Sequence, residues 1–196
     1  MRITGERVLL RDWVAADDGP LRSLLDPDRP WHRTNGPYFL LPDAEAMESM
    51  RIGILTLAST ESADLPVPRG MLAIVDRVSD ALVGAVSWYW ESEETDWRRM
   101  GIVIYDEARW GRGLASEALA LWTGYLFDTT DALRLDIATY SGNPGMLGVG
   151  RTLGFVEEGR FRRARRWSGG THDSVVMGVL REEWEALRER WVATTT

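Results

Sequence analysis

Cysteine is absent from the 196 residues of the chain. Disulfides, thiolate metal sites and a cysteine nucleophile are thereby excluded. Histidine is nearly absent. Only His32 and His172 are present, far apart in sequence, which argues against a histidine-built zinc site. No apolar run approaches the ~18–20 residues needed to cross a bilayer, and no membrane role is expected. The opening residues Met1 to Glu6 lack the apolar core of a signal peptide, so a cytoplasmic location is expected. Positive charge is also in deficit: the formal net charge is −7. Such a chain does not favour polyanions, so nucleic acid is not expected as a partner. A cationic acceptor, an amine or a basic peptide, would be drawn in more readily.

What is present is an ordinary apolar fraction, 44%, and ten tryptophans. That is enough for a core without staples, in one domain over residues 1–196. Some tryptophans could wall a cleft or a homodimer face rather than fill the core. Periodicity places strands at Arg7–Trp13, Met71–Val75, Leu82–Trp90, Arg99–Tyr105 and Leu133–Tyr140. A hairpin, Val156–Trp167 and His172–Leu180, follows across Ser168-Gly169-Gly170. Helices are expected after Asp17 or Asp18, after Asp43, from Leu114 to about Phe127, over Gly145–Leu153, and around Trp184, Leu187 and Trp191. Glu91–Asp96 reads as a polar connection and Thr194–Thr196 as a frayed end. Residues 27–42 carry four prolines and read as an irregular loop with aromatic members. The order predicts a mixed α/β (α+β) domain with one central sheet.

The most informative stretch is Arg99 to Glu117. A β-rich run with Ile102, Val103 and Ile104 feeds a turn, Trp110-Gly111-Arg112-Gly113, and a helix opens at Leu114-Ala115-Ser116. Such a unit aims free backbone N–H groups and a helix dipole at one point, which attracts phosphate. A Walker turn would need lysine and then serine or threonine after the second glycine; Leu114 and Ala115 stand there instead. The dinucleotide turn needs three spaced glycines and fits badly with Ser116 in the third place. A pyrophosphate turn with amides donated by Gly111 to Ala115 fits. On this motif alone, an ordinary corner with glycines for geometry fits equally well.

A second motif follows: Asn143 on a strand–helix connection, then Leu153-Gly154-Phe155 closing a short helix. With both motifs in this order and separation, the chain resembles the GNAT superfamily of N-acetyltransferases. Within it, the chain is similar to the ribosomal-protein-alanine acetyltransferase (RimJ/RimL-like) branch. The resemblance implies a twisted mixed sheet with splayed strands forming an acetyl-CoA cleft. It implies a pyrophosphate turn at Trp110 to Ser116, an asparagine, Asn143, on the pantetheine arm, and pantetheine contacts along Ile102–Ile104. Residues 1–70 would form the acceptor side and 71–196 the acetyl-CoA core with its hairpin. The branch is also compatible with a homodimer. Three positions depart from the family pattern. Trp110 replaces Gln or Arg, Met146 replaces a serine near the thioester sulfur, and Gly148 replaces a basic residue.

The implied chemistry is direct attack of a primary amine, from a protein N-terminus or a small molecule, on the thioester of acetyl-CoA. The resemblance implies no acyl-enzyme, which the lack of cysteine fits, while a serine nucleophile stays open from the sequence; no metal is expected. Glu91 is a candidate base, at the end of its strand, and solvated loop carboxylate is the alternative. Tyr140 is a candidate acid for the leaving thiolate, and plain packing is the alternative. The run Arg160, Arg162, Arg163, Arg165, Arg166 reads as a solvated or ion-paired face. A rival from another class is a non-catalytic acyl-CoA-binding or regulatory domain.

Overall fold

Eight strands pair into one sheet in the computed structural model, which describes residues 1–192. The expected frayed end at Thr194–Thr196 lies outside the described residues. The strands are β1 (Arg2–Thr4), β2 (Val8–Arg11), β3 (Met71–Asp76), β4 (Ala81–Ser92), β5 (Trp97–Ile104), β6 (Arg134–Tyr140), β7 (Val156–Trp167) and β8 (Gly170–Leu180). Their order across the sheet is β1-β2-β3-β4-β5-β6-β8-β7. Every neighbouring pair is antiparallel except β5 and β6, which are parallel. A parallel pair needs a crossover, and α3 (Leu114–Thr129) supplies it.

The helices lie on both faces. On one, α3 buries Ala118, Leu119, Trp122, Leu126 and Phe127 against Val83, Val86 and Leu135. Trp122 is fully buried, and its indole N–H donates to the Ser87 carbonyl at 3.0 Å. That bond removes the desolvation penalty, so the ring's apolar area stabilises the layer without an orphaned donor. On the other face, α1 (Asp18–Leu24) and α2 (Ala44–Ser59) join Trp13, Trp31 and Tyr105 over Ala73, Leu82 and Ala85. The remaining helices are α4 (Pro144–Thr152), α5 (Arg181–Leu187) and α6 (Glu189–Val192).

The structure departs from the sequence reading in three places. β1 is an added strand; with three residues it is too short to show a period. Glu91 lies inside β4, which runs on to Ser92 rather than ending before a polar connection. The last helix is broken: a tight bond from the Trp191 amide to the Arg188 carbonyl, at 2.9 Å, interrupts the regular ladder.

Candidate functional site

β5 and β6 pair over only three residues: Arg98 with Leu135, Arg99 with Asp136, and Met100 with Ile137. Beyond Met100, β5 stays on β4. Beyond Ile137, β6 stays on β8. The two strands therefore fork, and among the described residues the main-chain groups of Gly101–Ile104 on the edge away from β4 have no strand partner. A buried carboxylate staples the base of the fork. Asp136, fully buried, accepts from the Trp97 indole at 2.6 Å, from Arg99 Nε at 2.6 Å and from Arg134 at 3.3 Å. A buried charge this well paired holds both strands in register up to the fork.

Where β5 ends, the chain turns through a short helical turn, Glu107–Arg109, and then through two left-handed glycines. Gly111 has φ 73° and Gly113 has φ 79°. Side-chain-bearing residues resist that conformation. Gly113 is the N-cap of α3, and with no side chain it leaves the amides of Leu114, Ala115 and Ser116 uncapped. Among the described residues, no atom beyond the chain neighbours lies within 4 Å of where a Cβ would stand on either glycine. Space is thus open above a set of unclaimed donors at a positive helix end. Trp110 steadies the turn: its indole donates to the Ile104 carbonyl at 2.9 Å.

Fork and turn open into one cleft of about 700 Å³. Its walls include Ile102–Ile104, Trp110, Gly111, Gly113, Leu114, Ala115, Ser116, Tyr140 and Asn143. Arg112, expected on the turn, does not border it. The residues present suit a coenzyme A: unpaired strand edges for amides, then uncapped N–H groups for a diphosphate. A family model for the GNAT acetyltransferase domain matches residues 7–156.

The chain belongs to the GNAT acetyltransferase family.

Among similar proteins is YdaF of Bacillus subtilis (strain 168), provisionally named a ribosomal N-acetyltransferase. It is 32% identical over 75 residues, which cover 38% of this chain and 41% of YdaF. The match thus spans about two-fifths of that relative's length. The fold is that of a ribosomal-protein-S5-alanine acetyltransferase from Vibrio fischeri, with TM-score 0.71, 18% identity, and 94% and 98% of the two chains covered. RimL, a ribosomal L7/L12 α-N-protein acetyltransferase solved with coenzyme A, superposes with TM-score 0.70 at 19% identity, covering 92% and 98%.

Within this GNAT frame the remaining expected residues take distinct places. Asn143 caps α4, its Oδ1 accepting from the Met146 amide at 3.0 Å. Its Nδ2 donates to the Thr34 carbonyl at 3.1 Å. Tyr140 donates to the Arg33 carbonyl at 3.3 Å. Burial and the neighbouring Tyr38 push its phenol above the ordinary tyrosine value. Met146 borders the cleft beside them. Glu91 is not at the cleft. Its carboxylate pairs with Arg99 at 2.7 Å, and Arg99 is itself held by Asp136.

The roof of the cleft comes from the loop 27–42, inside the segment expected on the acceptor side. Thr34, Asn35, Gly36 and Tyr38 line it, and the sequence marked none of them individually as a site residue. Tyr89, which the sequence did not single out, lines the cleft too. On the far face, Arg98 stacks over Trp90 at 4.1 Å and over Trp88 at 5.0 Å, so that pair is occupied by the protein's own cation.

Proposed function

We propose that this chain transfers the acetyl group of acetyl-CoA to the α-amine of a polypeptide N-terminus by direct attack in a ternary complex. The observation that carries the reading is the fork that ends on uncapped amides: it offers one continuous track for pantetheine and diphosphate. Bound acetyl-CoA supplies an activated acyl group. The turn from Gly111 to Ser116 and the edge of Ile102–Ile104 hold it, and residues 1–70 provide the acceptor side through the loop around Thr34–Tyr38. Most of the acceleration comes from holding the two reactants in line. Strand N–H groups at the fork polarise the carbonyl as negative charge develops.

The choice of an α-amine follows from what lines the cleft. Among the described residues its walls carry no carboxylate and no imidazole. With no side chain to strip the ammonium proton, that proton leaves to water, and only the neutral fraction of acceptor reacts. An α-amine titrates near ~8 and a lysine near ~10.4, so at neutral pH the α-amine is favoured roughly 300-fold. Tyr140, kept protonated by its burial, can donate to the departing thiolate. The GNAT relatives named for ribosomal proteins support the same acceptor class.

The test is thiol release from acetyl-CoA against N-terminal peptides, N-terminally blocked lysine peptides, polyamines and aminoglycosides. Turnover confined to free N-termini supports the reading. Coenzyme binding without thiol release from any amine contradicts it and marks a binding module.

A further inference from the structure

The chain is acidic as a whole, yet the rim of the cleft is not. β7 and β8 form a hairpin whose register sets Arg165 opposite His172. The His172 ring packs edge-on against Tyr140 at 5.4 Å, and Tyr140 lines the cleft. The Arg165 guanidinium lies 4.3 Å above Tyr38, which lines the cleft from the other side. The arginine-rich strand thus borders the end of the cleft where an acceptor must enter.

The hairpin's own carboxylates are already taken. Glu157 and Asp173 both pair with Arg160, at 2.7 and 3.0 Å, and Asp173 also accepts from the Arg163 amide. Glu158 pairs with Arg134. Arg162, Arg163 and Arg166 are exposed and, among the described residues, have no ion-pair partner. Arg33 on the roof loop is in the same condition, and its carbonyl receives the Tyr140 hydroxyl. On the same loop Phe39 and Leu40 stand 65% and 97% exposed.

β7 is an edge strand, and charge on an edge discourages strand addition. Either sign would serve that purpose. It does not explain a run of one sign in an acidic chain, nor a fourth guanidinium arriving from a loop over a hundred residues away.

We propose that the acceptor is a polypeptide with acidic residues just after its N-terminal amine, docked on Arg33, Arg162 and Arg163; Arg166, next to Arg165 in the ladder, falls on the opposite face and takes no part. This rests on the acetyltransferase reading above. Carboxylates of the acceptor meet unpaired guanidiniums at the rim, apolar side chains meet Phe39 and Leu40, and the amine enters a cleft that holds no acid. A multiply cationic acceptor finds no carboxylate within the cleft and repulsion at its mouth. The overall charge of −7 predicts the opposite preference, for cationic acceptors, and the local field overrides it.

The test compares peptides sharing one N-terminal residue, followed by Glu, Gln or Lys at the next four positions, by thiol release at low and high salt. The expected result is a preference of about tenfold or more in kcat/KM for the Glu peptide over the Lys peptide, as two or three exposed ion pairs would give. High salt should erase it. Arg162→Glu/Arg163→Glu should reduce or invert the preference while coenzyme A affinity, measured by calorimetry, stays at the wild-type value. Equal use of the peptides at low salt, or a preference untouched by the double substitution, overturns the proposal alone. Coenzyme binding without turnover of any peptide removes the acetyltransferase reading, and this proposal with it.

Discussion

The two walls of the cleft are held by different means. The wall proposed for the coenzyme is made of backbone: a strand edge that has lost its neighbour, two glycines at positive φ, and the bare start of α3. The wall proposed for the acceptor is made of side chains reaching across the chain. Asn143 and Tyr140 hold the carbonyls of Thr34 and Arg33, and Arg165 and Tyr140 pack on Tyr38. A backbone wall tolerates most side-chain changes and fails when its conformation is denied. A side-chain wall can be unpinned one contact at a time. Asp136 underlies both, because it fixes where the fork begins.

The contrast can be broken at several points. Asp136→Ala should have the largest effect, since it leaves Arg99 and Arg134 without their shared partner. Losing one member of a buried pair costs about 3–5 kcal/mol, so Tm should fall by roughly 6–20 °C with both walls damaged together. Thermal unfolding monitored by circular dichroism checks this. A shift below a few degrees would mean that Asp136 is not the staple.

Gly113→Leu should strike one wall only. Its Cβ enters open space beyond the chain neighbours, but the substitution forces a φ of 79° on a branched residue and fills the space over the amides. Losing one or two charge-assisted hydrogen bonds predicts coenzyme A affinity lower by about 10–100-fold, with the protein still folded. Calorimetry and a thermal melt read the two effects separately.

Asn143→Asp should strike the other wall. An aspartate keeps the oxygen that caps α4 but loses the Nδ2 donor to Thr34. Acceptor KM should rise several-fold, up to about tenfold, while coenzyme affinity changes less, because one neutral hydrogen bond is at stake. Equal losses on both substrates would put this side chain on the pantetheine instead.

The smallest effect is expected at Glu91. With the carboxylate tied to Arg99, Glu91→Gln should change kcat by less than about threefold, where loss of a true base costs about 100-fold or more. The pH profile sharpens the point. Without a base in the cleft, kcat/KM should climb about tenfold per pH unit and level off near pH ~8, where the acceptor α-amine loses its proton. A plateau reached already near pH ~5 would restore a carboxylate base.

The same contrast explains what could be read in the sequence. The fold's sheet and its crossover were legible because apolar periodicity is local, and so was the turn, since Trp110 to Ser116 are contiguous. Even there the reason for smallness at Gly113 lay in its φ and its missing cap. The acceptor wall was not legible because its contacts are remote: Asn143 and Thr34 are 109 residues apart, and Tyr140 and Arg33 are 107 apart. No window of sequence holds both partners. Glu91 misled for a similar reason. Its position near a strand end looked open to solvent, but β4 continues through it and Arg99, on the neighbouring strand, claims it.

The central claim, that amides from Gly111 to Ser116 receive the diphosphate of coenzyme A, is tested most directly by a crystal structure with acetyl-CoA bound. The account predicts diphosphate oxygens within hydrogen-bond distance of those amides and the acyl chain running into the fork between β5 and β6. A coenzyme lodged elsewhere, with the turn bare, would contradict it.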